Sequence, residues 1–285
     1  MTSDTPSALQ ILFDLRPVRR RVRFGDHRLN VADVVVPDGE GPHPVAVLLH
    51  GGYWQSTWSR WYMRHLARDL ARRGWVAWNL EYRRLGGGQG GGWPKTFDDV
   101  AGGIDAVADV ADALDLDLSR VAAIGHSAGG HLALWGAARP QFPEGCPGAS
   151  PRVTIGAVAC LAAVSDLEAA SSLLEPDGVV TALLGGQPGS VPERYRVANP
   201  VRSLPLGVPV LLTHGLADTT VPPRRSREFA AAARRKREHV EVVEVPEATH
   251  RTILDPRGEA WERVCAWLPD AVASGRAAQP DLAAR

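Results

Sequence analysis

The sequence has too few cysteines for a protein held together by disulfide bonds. Its three cysteines, Cys146, Cys160 and Cys265, are odd in number, lie far apart and form no C-x-x-C pair. We therefore expect neither a disulfide framework nor a cysteine-based zinc or redox site. Cys160 falls in an apolar run and Cys265 in a helical one, and both fit small buried hydrophobic residues of a reducing compartment, which predicts a cytoplasmic protein.

The sequence also lacks an excess of charge of either sign and any long apolar run. Its 32 lysine and arginine residues balance 32 aspartate and glutamate residues, so no global field attracts a polyanion. The most basic segment, 224–237, is interleaved with Glu228, Phe229 and alanines, which is typical of a solvated helix face. No apolar run approaches the roughly 20 residues of a membrane-spanning helix, and the stretch 8–13 is too short for a signal peptide. We expect neither a nucleic acid nor a membrane as a partner.

Strand and helix patterns alternate along most of the chain. After two short strands at 19–24 and 30–36, apolar runs alternate with amphipathic helix patterns to residue 273. The later predicted strands are 45–49, 75–82, 121–124, 153–164, 208–213 and 240–245, and the predicted helices are 59–73, 96–116, 128–139, 224–237 and 258–273. Because helical crossovers join parallel neighbours, this order predicts an α/β fold with a mostly parallel central sheet and helices on both faces.

The size of the chain fits a single domain. It has 285 residues, 45% of them hydrophobic, which is enough for one large core. Between about 166 and 206 prolines and glycines interrupt the periodicity, which predicts a small cap inserted in the fold. We predict an N-terminal extension at 1–18, one domain over 19–274 and a disordered tail over 275–285.

A G-x-S-x-G motif stands where a predicted strand turns into a predicted helix. Strand 121–124 leads directly into residues 125–129, which read GHSAG, and helix 128–139 follows. In this setting a sharp, strained turn presents the serine hydroxyl at the carboxyl edge of the sheet. The sequence therefore predicts Ser127 as a nucleophile.

An acid and a base follow Ser127 in the order that such a nucleophile requires. A serine hydroxyl is a weak nucleophile at neutral pH and needs a histidine base that a carboxylate orients. Asp218 follows strand 208–213, and His250 follows strand 240–245. The carboxyl ends of parallel strands share one edge of a sheet, so both side chains can reach Ser127. Singly, Asp218 fits a turn residue and His250 a surface histidine, but together the three predict a catalytic triad.

The loop after strand 45–49 reads HGGYW over residues 50–54. Its glycines let backbone amides turn toward a site, and acyl transfer needs donors aimed at the developing oxyanion. Three backbone N–H groups are the expected donors: those of Gly52, Tyr53 and Ala128. Three other residues are expected to shape the loop rather than to react: His50, Gly51 and Trp54.

The remaining motifs predict neither a metal nor a cofactor. Residues 86–92 contain G-x-G-x-x-G, but Trp93-Pro94-Lys95 separates it from the next helix, whereas a phosphate loop opens directly into a helix. We interpret this segment as a mobile loop beside the pocket mouth. No metal-ligand motif is present, and His126, His131 and His214 are interpreted as structural.

Four tryptophans fall on the predicted active-site edge of the sheet, with Tyr53 beside them: Trp54, Trp58, Trp61 and Trp93. Trp58 and Trp93 could pack against an aryl or bulky apolar group of a substrate. For Trp58, anchoring a helix to the sheet is an equally good interpretation.

These motifs resemble those of serine esterases over roughly residues 45–260. The HGGYW segment and residues 126–132, which read HSAGGHL, are similar to the arylformamidase (kynurenine formamidase) branch. The broader carboxylesterase and hormone-sensitive-lipase-like group usually has HGGG, and Tyr53 in place of the third glycine favours the first branch. The resemblance implies an α/β-hydrolase fold with Ser127, Asp218 and His250 as its triad.

The sequence thus predicts a serine hydrolase that cleaves a small carboxylic ester or aryl-formamide through an acyl-enzyme on Ser127. The choice between the two substrate classes stays open. A non-catalytic small-molecule-binding module on the same fold and a peptidase-like acyl hydrolase are the alternatives.

Overall fold

The predicted strands pair into one eight-stranded sheet. The computed structural model describes residues 20–171 and 178–278. The strands are β1 (Arg20–Arg23), β2 (Val31–Val35), β3 (His43–Leu49), β4 (Val76–Leu80), β5 (Leu116–His126), β6 (Ala157–Leu161), β7 (Val210–Gly215) and β8 (Val240–Val245). They lie in the order β1-β2-β4-β3-β5-β6-β7-β8, in which β2 is antiparallel to both of its neighbours and β3 to β8 are parallel. The predicted mostly parallel α/β sheet is confirmed.

Helices occupy the connections between the strands and cover both faces of the sheet. They are α1 (Arg64–Arg72), α2 (Lys95–Asp105), α3 (Ala111–Leu114), α4 (Ala128–Ala138), α5 (Leu167–Ser171), α6 (Val179–Leu184), α7 (Pro192–Ala198), α8 (Arg224–Arg235) and α9 (Glu259–Ala278). Short 3-10 helices occur at Arg60–Met63, Ala108–Val110, Arg139–Gln141, Pro200–Ser203 and Thr252–Leu254. Within the described segments, no helix combines the length and apolarity needed to cross a bilayer.

The hydrophobic core lies on both sides of the sheet, as β3 shows. Val45, Val47 and Leu49 belong to one buried cluster, whereas Ala46 and Leu48 belong to the cluster on the other face. Because successive strand residues point to opposite faces, a strand covered on both sides must be apolar throughout. This explains the continuous apolar run that the sequence shows there.

Two predicted elements are shorter than the periodicity indicates. The helix predicted over 96–116 ends at Asp105, whose carboxylate pairs with the buried Arg139, and Asp115 has a left-handed φ of 49° just before β5 begins. The strand predicted over 153–164 covers only Ala157–Leu161, because Ala162 has a φ of 50° and leaves the ladder. The strand thus ends at a left-handed residue, whereas the predicted helix is divided into two α-helices with a 3-10 helix between them, and the second α-helix ends at Asp115.

Of the predicted domain boundaries, the one at the C-terminal end differs from the structure. Helix α9 continues to Ala278, so the predicted disordered tail does not begin at 275. Gly275 packs against Gly156, where a Cβ atom would meet the carbonyl oxygen at 1.9 Å, and this contact holds the last turn to the sheet. The predicted insertion contains α5, α6 and α7, while residues 1–19, 172–177 and 279–285, including the predicted extension, lie outside the described residues.

Candidate active site

Ser127 lies on a strained turn between β5 and α4. Its φ of 54° and ψ of −119° are unfavourable for a residue with a side chain. The two motif glycines allow this turn, since a Cβ on Gly125 would meet the Gly129 oxygen at 2.1 Å and one on Gly129 would meet the Leu49 oxygen at 2.0 Å. The backbone thus presents the hydroxyl at the carboxyl edge of the sheet.

The structure brings Ser127, His250 and Asp218 into one hydrogen-bonded chain. The Nε2 atom of His250 lies 3.0 Å from Ser127 Oγ, and its Nδ1 atom lies 2.7 Å from Asp218 Oδ2. Asp218 follows β7 and His250 follows β8, so the two loops extend from neighbouring strand ends. Ser127 and Asp218 are buried, and the His250 side chain is 14% exposed. This geometry allows a proton to pass from Ser127 to His250.

Asp218 is held as a carboxylate by donors around it. The N–H groups of Thr220 and Val221 donate to Oδ1 at 2.8 and 2.9 Å, and Nε2 of His214 lies 3.3 Å from Oδ2. Burial alone would raise the pKa of Asp218, but the hydrogen bonds from His214, His250 and Val221 outweigh it and hold the pKa well below its usual value. His214, for which the sequence predicts only a structural role, is thus in contact with Asp218. Its position at the end of β7, four residues before Asp218, was the available signal.

His126 supports the main chain of His250. Its Nε2 atom lies 2.8 Å from the His250 carbonyl oxygen, and the two rings are 4.6 Å apart. Burial, together with the neighbouring His250, lowers the pKa of His126 to about 3. The ring is therefore neutral, and its Nε2–H group donates to that carbonyl.

The loop at residues 50–54 has an unusual backbone. Gly52, Tyr53 and Trp54 have φ values of 109°, 55° and 54°, so three successive residues are left-handed. A Cβ on Gly51 would meet the Cβ of Ser127 at 3.0 Å, which places the loop directly against the nucleophile turn. The predicted oxyanion loop and Ser127 are thus in contact.

A buried histidine and carboxylate lie behind this loop. The Nε2 atom of His50 is 2.9 Å from Glu81 Oε1, its Nδ1 atom is 2.8 Å from the Gly51 oxygen, and its ring stacks on Tyr82 at 4.4 Å. Burial raises the pKa of Glu81, but the charge and hydrogen bond of His50, with Arg84 and Arg60, lower it to about 2. The sequence did not single out Glu81. Its signal is positional, because β3 and β4 pair Leu49 with Leu80 and so place residues 50 and 81 side by side.

Three tryptophans in or after the segment 50–54 have different surroundings. Trp54 is fully buried, with its ring 5.3 Å from and edge-on to His131. Trp58 packs on Gly52, where a Cβ would lie 2.3 Å from the indole, and carries the Arg251 guanidinium over its ring. Trp93 packs on Phe97, with ring centroids 5.1 Å apart, and its backbone N–H donates to the Leu183 oxygen of α6.

The glycine-rich segment begins beside the oxyanion loop. The Leu85 N–H donates to the Trp54 oxygen at 2.7 Å, and the Ser56 N–H donates to the Leu85 oxygen at 2.9 Å. A Cβ on Gly91 would meet the Arg84 backbone at 2.4 to 2.5 Å, so this turn packs on the chain that precedes it. The segment therefore has defined contacts with the loop, and its mobility stays a prediction. In the part of the chain that the structure describes, no three histidine, cysteine or acidic side chains form a metal cluster.

Two curated relatives match most of this chain. It is 29% identical over 244 residues to esterase LipC of Mycobacterium tuberculosis, which covers 81% of this chain and 59% of that protein. It is 25% identical over 264 residues to an isoprenylcysteine alpha-carbonyl methylesterase of Arabidopsis thaliana, covering 87% of this chain and 61% of the relative. The chain thus spans about three fifths of the length of these relatives.

A solved structure and a family model match most of this chain and identify its fold and family. A thermophilic esterase from Thermogutta terrifontis, Est2, superposes with a TM-score of 0.68 at 23% identity, covering 88% of this chain and 94% of that one. Residues 32–232 match the family model BD-FAE, which is more than half of the sequence. The chain belongs to the BD-FAE family, and its sheet and helices form an α/β-hydrolase fold.

Proposed function

We propose that this protein is a serine hydrolase that cleaves a small carboxylic ester through an acyl-enzyme on Ser127. The observation that carries the proposal is the hydrogen-bonded chain from Ser127 through His250 to Asp218, at 3.0 and 2.7 Å. The relatives named esterases support an ester as the substrate class.

The first half of the reaction forms the acyl-enzyme. Ser127 Oγ attacks the carbonyl carbon while His250 Nε2 takes the hydroxyl proton, and Asp218 stabilises the resulting imidazolium. The tetrahedral intermediate then breaks its bond to the alcohol oxygen, which leaves with the proton from His250. One alcohol is released, and the acyl group stays on Ser127.

The second half returns the enzyme to its starting state. His250 takes a proton from water as the water oxygen attacks the acyl carbon. The bond to Ser127 Oγ then breaks, and His250 returns the proton to Oγ. The products are one carboxylic acid and the free enzyme.

The oxyanion of both intermediates would be bound by three backbone N–H groups, those of Gly52, Tyr53 and Ala128. Among the described residues none of these groups donates to another protein acceptor. The contact between Gly51 and Ser127 keeps the loop donors close to the reacting carbon. Removing one such donor typically costs about 10² to 10³ in rate.

Replacing the nucleophile tests the proposal. Wild-type protein should hydrolyse p-nitrophenyl acetate, and Ser127→Ala should lose at least about 10⁴-fold in kcat/KM. Ser119→Ala, in the first half of the strand that leads to Ser127, is the matched control and should keep full activity. Full activity of Ser127→Ala would contradict the proposal. Tight binding of a small molecule without covalent labelling by a fluorophosphonate would favour a non-catalytic binding module.

An aryl-formamide is the second candidate substrate. Its support is the HGGYW segment, with Trp58 packed on Gly52, since flat aromatic groups stack on indole rings. Comparing kcat/KM for N-formylkynurenine with that for short-chain acyl esters distinguishes the two. A higher value for the formamide would assign the arylformamidase activity.

A further inference from the structure

Both ring nitrogens of His50 face atoms that can only accept a hydrogen bond. Nδ1 lies 2.8 Å from the carbonyl oxygen of Gly51, and Nε2 lies 2.9 Å from the carboxylate of Glu81. A neutral imidazole has one N–H donor and one bare nitrogen. We infer that His50 is a buried, doubly protonated imidazolium that fixes the oxyanion loop through the Gly51 carbonyl.

Either neutral form of His50 would leave an unfavourable contact. With the proton on Nε2, the bare Nδ1 would face the Gly51 oxygen, and with the proton on Nδ1, the bare Nε2 would face the Glu81 carboxylate. The Tyr82 hydroxyl does not relieve this, because it donates to the His50 oxygen at 2.7 Å and lies 3.5 Å from Nδ1. The ring is fully buried, and an acceptor left without a donor there is costly.

Glu81 is the counter-charge for this imidazolium. Its side chain is 1% exposed, and besides His50 it accepts from the Arg60 N–H and guanidinium and from the Tyr82 N–H. All of these partners are donors, so a proton on the carboxyl group would remove an acceptor that they need. The ionised form is therefore the one that this surrounding stabilises.

Two other cations share Glu81 and oppose a charge on His50. Guanidinium nitrogens of Arg60 and Arg84 lie 3.2 and 3.4 Å from the carboxylate, and Arg60 is also paired with Asp33 at 2.8 Å. Their repulsion acts on the ring from across the carboxylate. The two acceptors of His50 lie in direct hydrogen-bond contact and favour the charged ring more strongly, because hydrogen bonds to ions are about twice as strong as neutral ones.

The consequence for the oxyanion loop follows from the planarity of the peptide bond. In a trans peptide the carbonyl and the following N–H point in opposite directions. Holding the Gly51 oxygen against His50 Nδ1 therefore aims the Gly52 N–H away from His50. Gly51 itself packs on Ser127, so the peptide that carries this N–H borders the nucleophile turn. His50 and Glu81 are thus positioning residues for a predicted oxyanion donor, and this step rests on the proposed function.

The protonation state can be measured without any substrate. In ¹⁵N-histidine-labelled wild type at about pH 8, where free imidazole is neutral, both ring nitrogens of His50 should carry a proton. The signal is assigned by its loss in His50→Gln or, should that variant not fold, by its selective shift in Glu81→Gln. One bare ring nitrogen in His50 would overturn the inference, whether or not the protein hydrolyses esters.

Kinetics test the positioning role. Glu81→Gln keeps a side chain of the same shape and removes the charge, so kcat and kcat/KM should fall together by about 10²-fold, as for a lost transition-state donor. Asp105→Asn removes a carboxylate from another buried ion pair, with Arg139, and should lower stability but leave kcat unchanged. Unchanged kcat in folded Glu81→Gln would contradict the positioning role. An inert wild type with a doubly protonated His50 would instead contradict only the proposed function.

Discussion

Two of the histidine–carboxylate pairs at the carboxyl edge of this sheet, His250 with Asp218 and His50 with Glu81, differ in what the far side of the ring meets. His250 and Asp218 are 2.7 Å apart, and His50 and Glu81 are 2.9 Å apart. Both acids are buried, and the pKa of each is lowered. Residue types and distances alone would therefore assign the two pairs the same chemistry.

The two pairs differ in the partner of the second ring nitrogen. Nε2 of His250 meets the Ser127 hydroxyl, which can donate a proton, whereas Nδ1 of His50 meets the Gly51 carbonyl, which cannot. One ring is thus free to act as a base, and the other is fixed as a cation. The lesson is that the partner opposite the carboxylate, and not the carboxylate, decides whether such a histidine is a base.

The hydrogen-bond and ion-pair partners of the two carboxylates fit these roles. Asp218 is held by backbone N–H groups and by His214, whose Nε2 also contacts the Val221 oxygen. Glu81 is held by Arg60 and faces Arg84, which are permanent cations. The His250 ring is 14% exposed and can exchange its proton with a substrate, while the His50 ring is fully enclosed.

The largest expected effect comes from disabling the first pair. Asp218→Asn leaves the shape of the site but cannot fix the Nδ1–H tautomer of His250, so kcat should fall by about 10⁴-fold. Glu81→Gln is the paired comparison, and its loss should be smaller by about two orders of magnitude. Steady-state hydrolysis of p-nitrophenyl acetate measures both. Equal losses in the two variants would mean that the pairs do not have different roles.

A smaller effect should follow from moving the loop without altering the charge behind it. Gly52 has a φ of 109°, and a Cβ there would lie 2.3 Å from the Trp58 indole. Gly52→Ala should therefore displace the loop and lower kcat by about 10²-fold, while His50 keeps both ring protons in the ¹⁵N spectrum.

The matched control for this substitution is Gly74→Ala. Gly74 has a φ of 87° with no atom near the position of a Cβ, so it carries the same kind of backbone strain without a clash. It should lower stability and leave kcat unchanged. A comparable loss of kcat in both variants would assign the effect to general destabilisation.

The sequence was sufficient to predict the first pair but not the second. Ser127, Asp218 and His250 each follow a recognisable strand in a known order, so local patterns and the geometry of a parallel sheet bring them together. The partnership of His50 and Glu81 depends on the register between β3 and β4, which no local pattern specifies. The protonation of His50 depends further on where the Gly51 carbonyl points.

The same distinction holds for the fold. The alternation of strands and helices along the chain and the mostly parallel direction of the strands follow from the periodicities, and the structure agrees with them. Two predicted helix ends were wrong at residues that contact distant parts of the chain: Asp105 pairs with Arg139, and Gly275 packs against Gly156. Such contacts join segments that are separated in sequence, so propensity cannot place them.

The smallest expected effect concerns stability in acid and tests the ionised state of Glu81. The pKa of this carboxyl group is about 2 in the folded protein and 4.5 in its ordinary state, so between these values the unfolded chain binds more protons. Its contribution is fully present above pH 4.5 and decreases as the pH falls toward 2. Between pH 5 and pH 3 the free energy of unfolding should lose about 2 kcal/mol through this group.

The reference for this measurement is the double variant His50→Gln/Glu81→Gln. It removes both members of the second pair and keeps Asp218 and every other acid of the chain, so the difference between the two proteins reports on the pair and its ion-pair partners. Between pH 5 and pH 3 the unfolded histidine is already protonated, so the inferred imidazolium adds no slope there, and the carboxylate accounts for the difference. Urea unfolding at several pH values in this interval should give a curve that is flatter for the double variant by about 2 kcal/mol. Parallel curves would mean that Glu81 is not held ionised, and His50 would then lack the counter-charge that its second proton requires.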